Sequence, residues 1–230
     1  MTEASSAVVL GPPKRWELAF YAFVRGVVVA FCRLFWRLEM HGREHVPPTG
    51  PFVLAPVHRS NIDFALVAAL TRRRMRCMGK DSIWKSKLLG RFVALLGAFP
   101  VHRGAADREA MRTVVATLGY GEPVVIFPEG TRRSGPVVED LFDGPAYVAV
   151  RAGVPIVPVG IGGSERAMPK GSKLPKPVKV VLIVGEPLAP PPATEAGRVS
   201  RRAVRELTDE LRLAVQKLFD EAQVRAGSPN

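Results

Sequence analysis

Short apolar runs that recur between turn-forming residues constrain the fold of this chain more than any other feature. The runs cover residues 52–55, 124–127, 155–161 and 178–184. Runs of four to eight apolar residues bounded by turn signals are typical of strands buried on both faces. Helix-like segments lie beside these runs, at residues 62–70, 107–120, 144–152 and 194–224. This alternation predicts an α/β fold with three layers and a mixed, largely parallel central sheet.

The composition is that of one domain with an added N-terminal helix. At 230 residues, of which 47% are hydrophobic, the chain can bury one sizeable core. The predicted units are a disordered tail over residues 1–13, an amphipathic helix over 14–38, an α/β domain over 39–224 and a tail over 225–230. Within that domain, the Lys- and Pro-containing residues 168–179 predict an extended loop, which either is a solvated linker or contacts a ligand or membrane.

Three arginines interrupt the apolar N-terminal helix. Arg25, Arg33 and Arg37 fall within about 120° of one another on a regular helix, so they form one cationic stripe. The apolar stretches between them are shorter than the roughly 20 residues that a bilayer crossing needs, which disfavours a spanning helix. We expect this helix to lie in the membrane interface with its arginines at the headgroups, and packing against the protein core is the alternative.

A histidine and a carboxylate, His58 and Asp63, follow the first apolar strand. On one regular helix, a step of five residues would separate their directions by roughly 140°. The side chains meet only if the chain turns between them, and Ser60 and Asn61 are both good N-cap residues. We therefore expect His58 on a loop and Asp63 in the first turn of a helix. The carboxylate can then accept from the histidine Nδ1–H and leave Nε2 free as a base, although such pairs are also common as structural contacts.

Two further strand ends carry arginines. Residues 97–103 end an apolar run in Arg103, and residues 124–132 lead from a strand through a Pro and Gly turn to Arg132. The guanidinium group is a planar fork suited to phosphate oxygens, and glycine lets the backbone approach a ligand closely. Ligands of α/β folds bind where the carboxyl ends of strands meet loops, so we expect both turns to converge with His58.

These residues belong to four motifs that occur in a fixed order. The motifs are H-x4-D at residues 58–63, residues 97–103, F-P-E-G-T-R at residues 127–132, and residues 154–159. In these motifs the chain resembles the glycerolipid acyltransferase superfamily, and most of all the bacterial 1-acyl-sn-glycerol-3-phosphate (lysophosphatidic acid) acyltransferases. Two places depart from the family pattern: Val57 stands where Asn is frequent, and Pro100 and His102 stand where an aromatic or aliphatic residue and Asp are usual.

The resemblance implies a reaction and a location. A fatty acyl group would pass from acyl-CoA or acyl carrier protein to the free hydroxyl of 1-acyl-sn-glycerol 3-phosphate, giving phosphatidic acid without a metal or other cofactor. His58 would be the general base, and Asp63 would hold its tautomer. The enzyme would work as a peripheral or monotopic protein on the cytoplasmic face of the cell membrane. A related acyltransferase acting on glycerol 3-phosphate, another lysophospholipid or a glycolipid is the alternative.

Substrate binding is assigned by the same resemblance, except for Lys80, which is added because it follows the basic cluster at residues 72–76. The predicted substrate-binding residues are Lys80, Arg103, Glu129, Gly130, Thr131 and Arg132. The two arginines would clamp the acceptor phosphate, the Gly–Thr turn would donate hydrogen bonds, and Glu129 would orient these groups or the glycerol. The lysine would extend a basic surface beside the site.

The formal charge of +12, with a pI of about 10.4, predicts an anionic partner. An anionic membrane surface fits this charge, and the arginine cluster at residues 72–76 either attracts such anions or is a solvated face. A nucleic-acid-binding module is disfavoured because the sequence lacks a zinc-finger spacing, an RNA-recognition signature and a regular basic helix. Cys32 and Cys77 lie far apart, so the sequence predicts neither a disulfide framework nor a zinc site.

Overall fold

The computed structural model describes residues 13–101, 108–172, 174–192 and 199–227. The strands are β1 (Glu39–His41), β2 (Val53–Pro56), β3 (Arg76–Lys80), β4 (Ala98–Val101), β5 (Val124–Val125), β6 (Ile156–Gly162) and β7 (Val181–Val184). The helices are α1 (Arg15–Phe35), α2 (Asp63–Val67), α3 (Lys87–Leu95), α4 (Arg108–Gly119), α5 (Gly144–Ala152), α6 (Ser164–Ala167) and α7 (Arg201–Arg225). Short 3-10 helices cover Arg43–His45 and Asp81–Lys85.

The described strands form one sheet in the order β1-β7-β6-β2-β5-β3-β4. Within it the β6–β7 pair is antiparallel, and the other five neighbouring pairs are parallel. The predicted α/β fold with a mixed, largely parallel sheet is therefore confirmed. Strands β2, β6 and β7 are buried at every residue, as expected for strands covered on both faces.

Helix α7 packs directly onto β6 and β7, and two glycines of β6 make this approach possible. A Cβ atom on Gly160 would lie 2.3 Å from the backbone of Leu218, and one on Gly162 would lie 2.0 Å from the carbonyl oxygen of Ala222. Only glycine allows two backbones to approach so closely. Helix α5 contacts both α4 and α7, whereas α1 contacts α2 and α3, so the helices form two groups.

The observed elements differ from the predicted ones mainly at their ends. The helix predicted over residues 144–152 matches α5, but β5 has two residues where four were predicted, and the chain turns soon after it, where Gly130 N donates to Phe127 O (3.0 Å). Helix α2 begins after Ile62 instead of the predicted Ser60 or Asn61 and ends at Val67. The predicted tails fall mostly at residues 1–12 and 228–230, outside the described residues, and stay predictions.

The predicted arginine stripe on α1 is wrong. The guanidinium of Arg25 turns inward and donates to the carbonyl oxygens of Ala68 (2.8 Å), Thr71 (2.6 Å) and Ala69 (3.1 Å), where it caps the end of α2. Arg37 lies beyond the end of the helix with a φ of 46°. A charged side chain near apolar surface seeks hydrogen-bond acceptors, and here protein carbonyls supply them instead of lipid headgroups.

The arginine cluster at residues 72–76 is mostly structural. Arg74 and Arg76 are buried, and each donates to the carboxylate of Glu122 at 2.9 Å. Arg73 donates to the carbonyl oxygens of Pro47 (3.3 Å) and Gly121 (3.1 Å). Arg72 is the exposed member of the described cluster, so the anion-attracting role considered for these four arginines does not fit three of them.

Candidate active site

The loop between β2 and α2 brings His58 and Asp63 together. His58 Nδ1 and Asp63 Oδ2 are 2.9 Å apart, and both side chains are buried. Asp63 is the first residue of α2, and its Oδ2 also accepts from the backbone N–H groups of Arg59 (2.8 Å) and Ser60 (2.7 Å). The histidine on a loop and the aspartate in the first helical turn are thus placed as the five-residue spacing predicts.

The contact with Asp63 fixes which nitrogen of His58 is available. A carboxylate accepts hydrogen bonds, so Nδ1 carries the proton and Nε2 presents its lone pair. The imidazole ring packs against Phe127, with ring centroids 4.0 Å apart, and against Phe64 at 5.8 Å. His58 also lines a cavity, so the arrangement can deliver a base to a ligand bound there.

The backbone of His58 is held as firmly as its ring. Its N–H donates to Glu129 Oε2 at 2.8 Å, and its carbonyl oxygen accepts from Arg133 N at 3.0 Å. Glu129 is fully buried and paired with Arg59, and it does not line the cavity. The prediction that Glu129 contacts the substrate does not fit this position; its carboxylate instead holds the loop that carries the histidine.

The cavity beside His58 has a volume of about 640 Å³ and a mainly apolar wall. Side chains from α1, α2, α3 and β3 contribute to the wall, among them Val24, Val28, Ala65, Met78 and Val93. Pockets of roughly 300–1,000 Å³ are typical of small-molecule sites. The wall therefore suits an extended hydrocarbon chain that lies next to the imidazole.

Cations and small polar groups also line this cavity. They are Arg25, Asn61, Lys80, Ser82, Thr131, Arg132 and Lys170, and no Asp or Glu is among its described lining residues. Strands β2, β3 and β5 run parallel, so His58, Lys80 and Thr131 follow or end strands at the same edge of the sheet. Because no Asp or Glu lies among the described lining residues, these cations favour an anionic ligand.

Of the predicted binding residues, Lys80, Thr131 and Arg132 line the cavity. Gly130 does not; it occupies the left-handed region at φ 64°, and a Cβ there would lie 2.6 Å from the Phe142 ring. The N–H groups of Gly130 and Thr131 donate to Phe127 O (3.0 Å) and Glu129 O (2.7 Å), so they are not directed at a ligand as predicted. Arg103 lies outside the described residues, and its role stays a prediction.

Sequence reasoning did not assign Lys170 to the site. A hydrogen bond from Ser60 Oγ to the carbonyl oxygen of Met168 (2.7 Å) ties the loop that carries this lysine to the histidine loop. The two residues are 108 positions apart in sequence, so no local pattern signals the contact. The extended Lys- and Pro-containing loop was the only sequence feature that pointed to this region.

Cys77 lines the cavity but does not provide a nucleophile. Burial raises the pKa of its thiol to about 12, even though Arg76 lowers it. The thiolate is the reactive form of cysteine, so a thiol that remains protonated at neutral pH acts as a small apolar wall residue. The described residues contain no group of three or more His, Cys, Asp or Glu side chains that could hold a metal ion.

Comparison with known proteins identifies relatives of the chain. The family described as Acyltransferase matches residues 37–162. The 1-acyl-sn-glycerol-3-phosphate acyltransferase of Bacillus subtilis is 30% identical over 169 residues, which cover 73% of this chain and 82% of that protein. A Chlamydomonas reinhardtii protein of the same description is 31% identical over 163 residues, or 68% of this chain and 48% of that protein.

Two further comparisons agree with this result. The Streptococcus pneumoniae 1-acyl-sn-glycerol-3-phosphate acyltransferase is 27% identical over 151 residues, which cover 63% of this chain and 54% of that protein. The crystal structure of the 1-acyl-sn-glycerophosphate (LPA) acyltransferase from Thermotoga maritima superposes with a TM-score of 0.66 at 24% identity, and covers 87% of this chain and 85% of that one. The superposition on the Thermotoga maritima structure establishes a shared fold.

Proposed function

The chain belongs to the Acyltransferase family, and from this membership we propose that it acylates the free hydroxyl of 1-acyl-sn-glycerol 3-phosphate. The donor is an acyl thioester, either acyl-CoA or acyl carrier protein, and the product is phosphatidic acid. One observation carries the proposal: His58, hydrogen-bonded to Asp63, lines a largely apolar cavity whose described lining residues include cations and no carboxylate. An apolar chain and a phosphate on one substrate match both properties of that cavity.

The proposed chemistry uses the free nitrogen of His58. Nε2 takes the proton from the acceptor hydroxyl as the oxygen attacks the thioester carbonyl carbon, and a tetrahedral intermediate forms. When this intermediate collapses, the C–S bond breaks, and the departing thiolate takes the proton from the imidazolium. Asp63 keeps the proton on Nδ1 and stabilises the imidazolium between these two steps.

The cations on the cavity wall serve the acceptor phosphate. A phosphate monoester carries about −1.5 to −2 charges at pH 7 and three strong acceptor oxygens. Arg132, Lys80 and Lys170 all line the cavity, and Thr131 adds a hydroxyl. Charge-assisted hydrogen bonds from these groups would hold the phosphate while the acceptor hydroxyl reaches the imidazole.

The outward face of α1 supports an anionic membrane as the partner. Phe23 and Leu34 are 71% and 83% exposed, whereas Tyr21, Val29 and Cys32 on the other face are buried. By length and composition α1 could cross a membrane, and only 17% of its most apolar window is buried. Because one face packs on the domain, we propose that it lies in the interface instead of crossing. The net charge of +12 suits the anionic cytoplasmic leaflet.

Replacing Phe23 and Leu34 together with serine is expected to weaken binding to phosphatidylglycerol vesicles by at least about tenfold. Burial of a large apolar side chain is worth about 1.5–3 kcal/mol, and the change removes two of them. Co-sedimentation with vesicles measures the effect. Leu213→Ser is the control, since Leu213 is 63% exposed on α7. Equal binding by both variants would remove α1 as the membrane contact.

Purified protein should convert lysophosphatidate and a labelled acyl thioester into phosphatidic acid. Arg132→Ala should then raise the KM for lysophosphatidate by about 10–100-fold, because a hydrogen bond to a charged group is worth about 1.5–3 kcal/mol. The KM for the acyl thioester should change by less than about threefold. Initial rates with each substrate varied in turn measure both constants.

Arg72→Ala is the matched control for this measurement, because Arg72 is exposed and does not line the cavity. Acyl-CoA and acyl carrier protein are compared as donors. Glycerol 3-phosphate, other lysophospholipids and glycolipids are compared as acceptors. Turnover confined to one of these alternative acceptors would reassign the substrate, and equal KM changes for donor and acceptor would refute the phosphate clamp.

A further inference from the structure

We propose that Arg59 and Glu129 are positioning residues that set the backbone of His58, and through it the aim of Nε2. This inference rests on the proposed function, because it assumes that His58 is the base. Neither residue lines the cavity, so neither is placed to touch a substrate. Their effect on the reaction would be exerted through His58 alone.

Two carboxylates receive the three consecutive backbone N–H groups of the histidine loop. Asp63 Oδ2 accepts from Arg59 N and Ser60 N, at 2.8 and 2.7 Å. Glu129 Oε2 accepts from His58 N at 2.8 Å. Asp63 thus fixes the ring and the latter half of the loop, whereas Glu129 fixes the peptide that begins the loop. The position of the imidazole depends on both.

Arg59 orients Glu129 and joins it to the rest of the domain. Its Nη1 donates to Glu129 Oε1, and its Nε and Nη2 donate to the carbonyl oxygens of Gly135 (3.2 Å) and Val137 (3.0 Å). The guanidinium also lies 4.8 Å from the centre of the Phe219 ring of α7. With Oε1 occupied in this way, Oε2 is left to receive the His58 N–H.

Burial of this ion pair points to a geometric role. The side chains of Arg59 and Glu129 are 1% and 0% exposed. Withdrawing two charges from water costs about as much as their attraction returns, so apolar residues of similar size can often stabilise a fold equally well. What apolar residues cannot supply is an acceptor for the His58 N–H. A displacement of about 1 Å at a reacting group can lower a rate about 10²-fold.

Two double variants separate positioning from stability. R59M/E129M and R59M/E129Q both remove the two charges and keep long side chains, but only the glutamine retains an acceptor for His58 N. We expect R59M/E129M to lower kcat about 10²-fold and to change both KM values by less than about threefold. The kcat of R59M/E129Q should be at least about tenfold higher than that of R59M/E129M. Thermal unfolding checks that both variants fold.

The exchange of the His58 amide proton gives a readout that needs no turnover. In ¹⁵N-labelled protein, this amide should exchange with solvent at least about tenfold faster in R59M/E129M than in R59M/E129Q. R202M/E206Q, which removes an exposed pair on α7, should leave kcat and exchange unchanged. Equal kcat and equal His58 exchange in the two double variants would overturn the proposal.

The two readouts also separate this proposal from the proposed function. If the wild-type protein is inactive but the two double variants still differ in His58 amide exchange, the result would support the positioning role and refute the acyl transfer. An active wild-type protein whose two double variants behave alike would leave the acyl transfer standing and refute the positioning role.

Discussion

Replacing His58 with alanine is expected to lower kcat for acyl transfer by about 10³-fold. General base catalysis contributes about 10²–10⁴-fold, and no other described cavity residue is placed with a paired carboxylate to take over the proton. Binding of both substrates should be retained, because the apolar wall and the cations are unchanged. Steady-state rates at saturating donor and acceptor measure the loss.

Alanine also leaves a space beside Phe127, so the test needs controls. His58→Gln keeps a side chain of similar length that can hydrogen-bond to Asp63 but cannot act as a base, and it should be as inactive as alanine. His41→Ala changes a half-buried histidine of edge strand β1, outside the cavity lining, and should retain activity. If either His58 variant kept more than a tenth of the wild-type kcat, the imidazole would not be the base.

The sheet could be predicted from sequence because buried parallel strands have a local signature. The run at residues 178–184 contains β7, and the run at 155–161 contains β6 except for its last residue, Gly162; all residues of both strands are buried. The position of the loop that carries His58 followed from the same reasoning, since His58 comes directly after such a run. A strand with no exposed face must be apolar along its whole length, and such a continuous apolar run can be recognised in a single sequence.

The partners of charged residues could not be predicted in the same way. Arg25 caps carbonyls 43 to 46 positions away, and Arg59 pairs with Glu129 across 70 positions. The helical periodicity of α1 predicted Arg25 in a lipid-facing stripe, because that periodicity contains no information about the carbonyl oxygens at the end of α2. Burial of a long side chain depends on which elements the fold brings together, and the sequence within one element does not contain that information.

The net charge predicts the kind of partner, but only the contacts show which basic residues are available to bind it. The sequence carries 33 Lys and Arg residues, and their excess over Asp and Glu predicts an anionic partner. In the structure, Arg74 and Arg76 are instead neutralised by Glu122, whereas Arg132 and Lys170 line the cavity. Some basic residues therefore form ion pairs within the fold, and others line the cavity. The position of nearby carboxylates distinguishes the two groups.

Replacing Asp63 with asparagine is expected to lower kcat by about 10–100-fold. The Oδ2 atom of Asp63 accepts from His58 Nδ1 and from two backbone N–H groups. An amide oxygen in the place of Oδ2 can keep all three hydrogen bonds, and the NH₂ then takes the place of Oδ1, which has no described hydrogen-bond partner. The neutral amide cannot stabilise the imidazolium by its charge, and a hydrogen bond to a charged group is worth about 1.5–3 kcal/mol.

The test of this prediction must separate a loss of turnover from a loss of stability. Asp63 is fully buried, so loss of its charge should also lower the unfolding temperature, and a fall in rate alone could be blamed on unfolding. Asp143→Asn is the control, because the exposed Asp143 accepts from Thr208 Oγ1 at 3.0 Å before α5 and lies outside the cavity lining. At a temperature where both variants are folded, only Asp63→Asn should lose activity. Retention of more than a tenth of the wild-type kcat would show that the carboxylate supports the fold and not the base.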